Sequence, residues 1–320
     1  LLNQVICMVD TSSLLPGEYT GQVEIASITE RALPRTLQFH LQVVPVRLDA
    51  LPDVEICDIG MMAEYASESI KPLGLNTFSV PAQWIIPDYD AQTERVTVDF
   101  TRVSVLVRER LAACPDARFW IGFGVGAVIA GHAERNLGIS ATDPRFDAYV
   151  RGWTQAVVEG FQHLGTGPER LILETVDEPG AGQMELAARI SRLVHAANPQ
   201  VRTQTYVTSF HADDEACARM YEAHDIIGLI RTSVSQESVA FLREHGKQIW
   251  VYDCQGNAEE FDPISYYRLL PWLGWRHGLE GWGHFSWLDS MRGRDYAPWE
   301  GVAEQSLVYP ALDGGQVISR

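Results

Sequence analysis

Basic residues are few in this chain. Its 320 residues hold 25 lysines and arginines against 42 aspartates and glutamates, a net charge of −17 with a pI near 4.9. Nucleic-acid grooves and anionic membrane surfaces are bound through clustered cations, so the balance argues against both partners. No apolar run reaches the ~18 residues a membrane-spanning helix needs, and no membrane insertion is expected. Cysteine is sparse: Cys7, Cys57, Cys114, Cys217 and Cys254 are odd in number and far apart, without a C-x-x-C pair. A disulfide framework or zinc knot is not expected; buried free thiols are. There is no start methionine, no leader-like segment and no closing structure after Val317-Ile318-Ser319-Arg320. The chain reads as part of something longer, so the lack of a leader assigns no location. Aromatics, by contrast, are plentiful, with nine Trp, eleven Tyr and eleven Phe. Trp and Tyr suit a flat, amphipathic binding face.

Two patterns divide the chain. In residues 1–47, Gly17–Ile25 and Thr36–Val43 alternate polar and apolar residues, the mark of antiparallel strands with one wet face. Two or three such strands do not stand alone, and they read as the C-terminal end of a β-sandwich. From residue 48 to 320, apolar strand-like runs alternate with helical stretches. The strands are expected at Val54–Ile59, Asn76–Val80, Phe119–Val125, Arg170–Val176, Val201–Thr208, Ile226–Arg231, Gln248–Cys254 and Gly281–Trp287. Helices are expected near 61–71, 101–113, 145–164, 182–197, 213–223, 235–245 and 263–277. Eight such units predict an α/β fold, a (β/α)8 TIM-type barrel, ending before its last helix, which should follow Gly301–Pro310. An open doubly wound sheet is the alternative. Thr142-Asp143-Pro144 and Asn198-Pro199 mark a helix start and a helix stop.

Barrel chemistry sits at the C-terminal ends of the strands. The fourth strand ends in Asp177-Glu178-Pro179-Gly180. Adjacent carboxyls raise each other's pKa by repulsion, and partial burial raises both. Pro179 biases Glu178 toward extended backbone, while a bend at the strand end could turn both side chains to the mouth. Such a pair suits acid/base work on a glycosidic bond. The competing reading has Asp177 capping the next helix and Glu178 solvated in its first turn.

The stretch Trp250-Val251-Tyr252, Tyr267-Arg268-Leu269-Leu270-Pro271-Trp272 and Gly278-Leu279-Glu280-Gly281, preceded by Asp177-Glu178-Pro179, resembles the catalytic domain of glycoside hydrolase family 123. The resemblance runs from about residue 15 to 320. It implies an exo-acting, retaining β-N-acetylgalactosaminidase whose nucleophile is the substrate's own 2-acetamido group. Asp177 then matches the residue that polarises the acetamido N–H, and Glu178 the acid/base on the glycosidic oxygen. The implied substrate is a glycan or glycoconjugate, with no cofactor. A tyrosine donating to the acetamido carbonyl is also implied, with Tyr206 and Tyr252 as candidates. Phe285 and Asp253 depart from the family pattern. Asp253 opens a second mechanism, an enzyme nucleophile facing Glu178 across the mouth on a sugar without an acetamido group. A non-catalytic glycan-binding barrel is the reading from a different class.

Other positions were weighed as sugar contacts: Trp84 past the second strand, and His284 and Trp287 on the eighth. Trp272 and Trp275, three apart, are expected to pack as helix core. Gly122-Phe123-Gly124-Val125-Gly126 lacks dinucleotide-loop spacing and is expected instead to make room for backbone or ligand. His132, His211 and His284 would have to converge with a carboxylate to hold a metal, and no metal is expected.

Overall fold

The structure is a computed structural model that describes residues 9, 11, 13–25, 35–45, 54–59, 74–90, 92–93, 95–122, 125–254, 269–285, 308–310 and 316–318. The chain divides into two units, Leu1–Leu51 with Arg320, and Pro52–Ser319. In the first, β1 (Gly17–Ile25) pairs antiparallel with β2 (Arg35–Val43). The alternation places Tyr19 opposite Leu41 and Val23 opposite Leu37 on a shared face.

The second unit is a closed parallel barrel. Its strands are β3 (Glu55–Ile59) and β4 (Thr77–Pro81), then, after a small hairpin of β5 (Pro87–Asp90) and β6 (Arg95–Val98), β7 (Arg118–Gly122), β8 (Leu171–Glu174), β9 (Arg202–Val207), β10 (Ile226–Ile230), β11 (Gln248–Asp253) and β12 (Gly281–Phe285). Parallel pairing of β12 with β3 closes the ring, which excludes the open sheet. All eight expected strands are present, the clearest as a short continuous apolar run such as Ile226–Ile230, as burial on both faces requires.

The described helices are α1 (Thr101–Ala113), α2 (Val125–Leu137), α3 (Arg145–His163), α4 (Met184–Ala197), α5 (Glu215–Ala223), α6 (Gln236–Glu244) and α7 (Leu269–His277). Local chemistry sets their starts. The Asp143 carboxylate accepts from Arg145 N at 2.8 Å, Asp214 Oδ1 from the amides of Ala216 and Cys217, and Ser235 and Ser238 form a reciprocal capping box. None of the described helices is long and apolar enough to cross a membrane.

Beyond the eighth barrel strand, β13 (Val308–Pro310) pairs antiparallel with β14 (Gln316–Ile318). Two expectations change. The third strand stops at Gly122, and α2, which sequence periodicity did not reveal, begins at Val125. Trp272 and Trp275 are not core: they are 64% and 74% exposed, edge-on to each other, while Leu270 and Gly274 form the buried side of α7. The helix expected near 61–71 lies outside the described residues.

The lumen is stacked in layers by the odd-numbered strands of the barrel. Their first residues are Glu55, Arg118, Arg202 and Gln248. Arg202 reaches both Glu55 oxygens at 2.7 and 3.0 Å and Gln248 Oε1 at 3.1 Å, and Arg118 reaches Glu55 at 2.7 Å. Two residues further along come Cys57, Trp120, Gln204 and Trp250, each at most 2% exposed. Above them lie Tyr206 and Tyr252. The large rings fit because glycine faces them. A Cβ on Gly228 would collide with the Tyr206 ring, and one on Gly281 with the Trp250 indole.

Candidate active site

The chain beyond β8 is braced from three sides. Thr175 N donates to Gln204 O at 2.9 Å, and Gly126 N to Thr175 O at 2.6 Å. Thr205 Oγ1 donates to Val176 O at 2.8 Å. A Cβ on Gly126 would strike Thr175 O, so this glycine does make room for backbone. The Thr175 hydroxyl lies 2.6 Å from His224 Nε2, whose Nδ1 lies 2.7 Å from Met220 O. A carbonyl only accepts, so Nδ1 carries the proton and Nε2 accepts from Thr175. Burial lowers the His224 pKa to about 4, consistent with this neutral ring.

This bracing delivers Asp177 and Glu178 to the mouth. Glu178 departs from the extended geometry expected before proline: its φ is +45°, in the left-handed region. Among the described residues it is the one non-glycine with positive φ. The bend aims its side chain at β11, where the Tyr252 hydroxyl donates to Glu178 Oε1 at 2.5 Å. Desolvation first, then the charge of Glu178, pushes the Asp177 pKa up to about 6, against a hydrogen bond with Glu174 that lowers it. Asp177 is exposed by area, yet its carboxyl sits among protein groups low in the mouth. Helix capping does not use the pair: α4 starts at Met184, and Gln183, at its cap, makes no side-chain cap bond.

The two tyrosines differ. Tyr252 reaches the carboxylates, and its own pKa is raised by burial and then by the bond to Glu178. Tyr206 is 2% exposed, its ring 4.6 Å from that of Tyr252. Its hydroxyl has no hydrogen-bond partner among the described residues. Burial holds the phenol neutral, with Cys57 and Glu174 adding to the effect. Asp253 ends β11 at 3% exposure, ion-paired with Arg231. Cys254 follows it half-buried, its pKa pushed up to about 11 by burial and then by Glu178.

Trp84 packs on the outer core with the Arg102 guanidinium 4.3 Å from its ring centre. His284 takes the register position beside Asp253 on β12, and Trp287 lies outside the described residues. His132 pairs with Tyr149 at 2.9 Å and His211 with Ser209 at 3.0 Å. No group of three metal-ligating side chains occurs among the described residues. Cys57 and Cys217 are buried free thiols, whereas Cys114 and Cys254 are only half-buried.

Glu174 was missed. It is 1% exposed, closes β8 and stands in register with Gln204. The signal was a lone carboxyl ending the apolar run Leu171-Ile172-Leu173. Arg231 was missed too, since only the fold brings it to Asp253.

No family model and no curated protein matches the sequence. Solved structures do. A family 39 glycoside hydrolase from the gut symbiont Bacteroides cellulosilyticus WH2 aligns with a TM-score of 0.51 at 12% identity, over 92% of this chain and 67% of that one. The AHE enzyme of Alicyclobacillus herbarius aligns with a TM-score of 0.50 at 10% identity, over 79% and 82%. Bacteroides uniformis β-glucuronidase 2 aligns at 0.47 and 14% identity, and this chain spans 38% of its length. The first two similarities are to the same barrel fold that the strand pairing shows.

Proposed function

We propose that this chain is a retaining exo-glycosidase of the family 123 type. Its substrate is a β-linked N-acetylhexosamine, N-acetylgalactosamine first. The observation that carries the reading is the Asp177–Glu178 pair at the end of the fourth barrel strand, turned to the mouth by the left-handed Glu178 and held by Tyr252. Glycoside hydrolases among the structural neighbours support a glycosidase, although a fold alone never assigns an activity.

In this mechanism the 2-acetamido oxygen attacks the anomeric carbon while Glu178 gives its proton to the departing oxygen. Asp177 accepts the acetamido N–H and balances the positive charge of the cyclised intermediate. Water then opens that ring as Glu178 takes back a proton, so configuration is retained. The tethered acetamide has a high effective molarity, and no enzyme nucleophile is required. The buried ion pair of Asp253 with Arg231 argues against Asp253 as that nucleophile. Within this reading Tyr252 is the better-placed partner for the acetamido carbonyl, because its hydroxyl reaches Glu178 and that of Tyr206 does not, although both rings are buried; its one O–H would leave Glu178 for that carbonyl when substrate binds.

One observation favours exchanging the two roles. The raised pKa belongs to Asp177, while Glu178 accepts the phenol proton of Tyr252. Leaving groups separate the assignments. Losing the general acid harms substrates with poor leaving groups most, whereas losing the acetamido partner harms all alike.

The direct test is hydrolysis of 4-nitrophenyl β-N-acetylgalactosaminide by the chain, with Glu178→Gln and Asp177→Asn beside it. Turnover that is lost in the variants and blocked by a thiazoline mimic of the cyclised intermediate is the expected result. No turnover of any aryl glycoside overturns the enzyme reading, and sugar binding without turnover would then mark a glycan-binding barrel. Activity on sugars without an acetamido group, abolished in Asp253→Asn and untouched by thiazoline, overturns the substrate-assisted route.

A further inference from the structure

Glu178 holds a strained left-handed backbone, and strain of that kind persists only where the surrounding structure pins it. On one side the Tyr252 hydroxyl holds its carboxylate. On the other, two residues before Asp177, the Thr175 hydroxyl lies 2.6 Å from His224 Nε2, and His224 Nδ1 lies 2.7 Å from Met220 O. His224 is 1% exposed, stands between α5 and β10, and has no task in the mechanism given above.

We propose that His224 is a positioning residue for the carboxyl pair, its neutral ring accepting the Thr175 hydroxyl and so fixing the chain from which Asp177 and Glu178 reach the mouth. This rests on the reading of those two carboxyls as the working groups.

The direction of the bond is set at the outer end of the ring. Met220 O only accepts, so Nδ1–H donates to it and Nε2 is left as an acceptor. The Thr175 hydroxyl has one proton and two acceptors near it. Nε2 is at 2.6 Å, whereas Gln204 O is at 3.4 Å and already accepts from Thr175 N at 2.9 Å. The bond therefore goes to the ring. Threonine is stiff at χ1, so holding its hydroxyl also holds the backbone as it leaves Thr175. Gly126 N and Thr205 Oγ1 hold the carbonyls of Thr175 and Val176, and the His224 bond adds the side-chain tie.

The charges around the ring come from three elements. Lys247, just before β11, donates to His224 O at 2.8 Å and to Glu222 O at 2.7 Å, and its charge opposes a second proton on the ring. His195 of α4 opposes one as well, while the carboxylate of Asp225 favours it. That carboxylate already accepts from Thr203 N at 2.7 Å and lies 2.8 Å from His195 Nε2. Burial outweighs it, and the ring keeps its acceptor nitrogen.

The test begins without substrate. Carboxyl carbon-13 spectra of the full chain, labelled at aspartate and glutamate, are taken near neutral pH with assignments from Asp177→Asn, Glu178→Gln and Glu55→Gln. Thr175→Val loses the hydroxyl, and His224→Asn puts its amide short of it. Both should move the Asp177 and Glu178 resonances and leave Glu55, at the opposite end of the barrel, in place. Thr175→Ser keeps a hydroxyl and His224→Gln keeps an acceptor, and both should return the pair to its positions in the unaltered chain. Unmoved resonances in Thr175→Val overturn the proposal, as does movement of Glu55 along with the pair. Nitrogen-15 imidazole spectra of the unaltered chain need no variant to fold. His224 should show a protonated Nδ1 and a bare Nε2, and the reverse tautomer or a charged ring overturns the proposal by itself. In turnover, Thr175→Val should lower kcat about tenfold with KM little changed, and adding His224→Asn should cost nothing more. A loss confined to KM overturns the positioning role. The two readings fail separately: moved resonances in a chain without turnover refute the glycosidase alone, and turnover with unmoved resonances refutes the positioning alone.

Discussion

The Tyr252 hydroxyl donates a 2.5 Å hydrogen bond to Glu178 Oε1, joining the end of the seventh barrel strand to the segment after the fourth. Hydrogen bonds to charged groups contribute roughly 1.5–3 kcal/mol. Tyr252→Phe should therefore lower kcat/KM by about 10- to 100-fold, since 1.4 kcal/mol is a factor of ten. Tyr206→Phe, which removes a covered hydroxyl without a described partner, should cost much less. Steady-state kinetics on one aryl glycoside compares the two, and equal losses would contradict the distinction.

The left-handed backbone of Glu178 is a stability cost borne at the site. Such a conformation costs an L-residue with a Cβ roughly 1–2 kcal/mol. Glu178→Gly should be more stable than Glu178→Ala by about 1 kcal/mol, although glycine usually weakens a chain. Urea unfolding of the two variants measures this, and both should be inactive.

Asp177 and His224 give opposite pH signatures. The folded pKa of Asp177 lies above its ordinary value, so its contribution is fully favourable below about pH 4 and is lost as pH rises through about 6. Asp177→Asn should accordingly raise the melting temperature more at pH 7.5 than at pH 4. The folded pKa of His224 is lowered to about 4, so the folded chain binds fewer protons than the unfolded one between that value and 6.5. Stability should fall as the medium is acidified across that window, by about 3 kcal/mol from this residue alone. His224→Gln should flatten the acid limb, and an unchanged limb would show that the ring is not held neutral.

At the opposite end of the barrel, Glu55 is 6% exposed and faces both Arg118 and Arg202. Removing one partner of a buried pair leaves the others uncompensated. Glu55→Ala should destabilise by about 3 kcal/mol or more in urea unfolding. The residue lies at the start of its strand, so the pH dependence of catalysis should not shift.

What could be read in advance followed physical lines. Buried strands such as Ile226–Ile230 carry their signal in every residue, and α1 has the predicted bounds because Asp99 accepts from Thr101 N and marks its start. The Asp177–Glu178 pair was legible because two adjacent carboxyls at a strand end are costly enough to need a reason. Helix α2 was hidden because the glycines around its start, Gly122 before it and Gly126 in its first turn, read as loop, whereas Gly126 answers to Thr175 O, a contact only the closed barrel creates. The exposure of Trp272 and Trp275 was misread because a three-residue spacing places rings on one side of a helix but does not say which side is covered. Arg231 pairs with Asp253 and His224 with Thr175, both more than twenty residues away, and Glu174 stands in register with Gln204 of the next strand; local pattern does not carry such pairings.

The layers of Glu55 with its arginines, and of Trp120, Gln204 and Trp250 above them, fill the barrel axis. Among the described residues the lumen is thus closed beneath the mouth. On the glycosidase reading proposed above, whatever lodges deepest against Tyr252 would leave last, after anything attached on its outer side has cleared the threshold. The aglycone would depart first and the sugar wait for water, the sequence that a two-step, retaining hydrolysis demands.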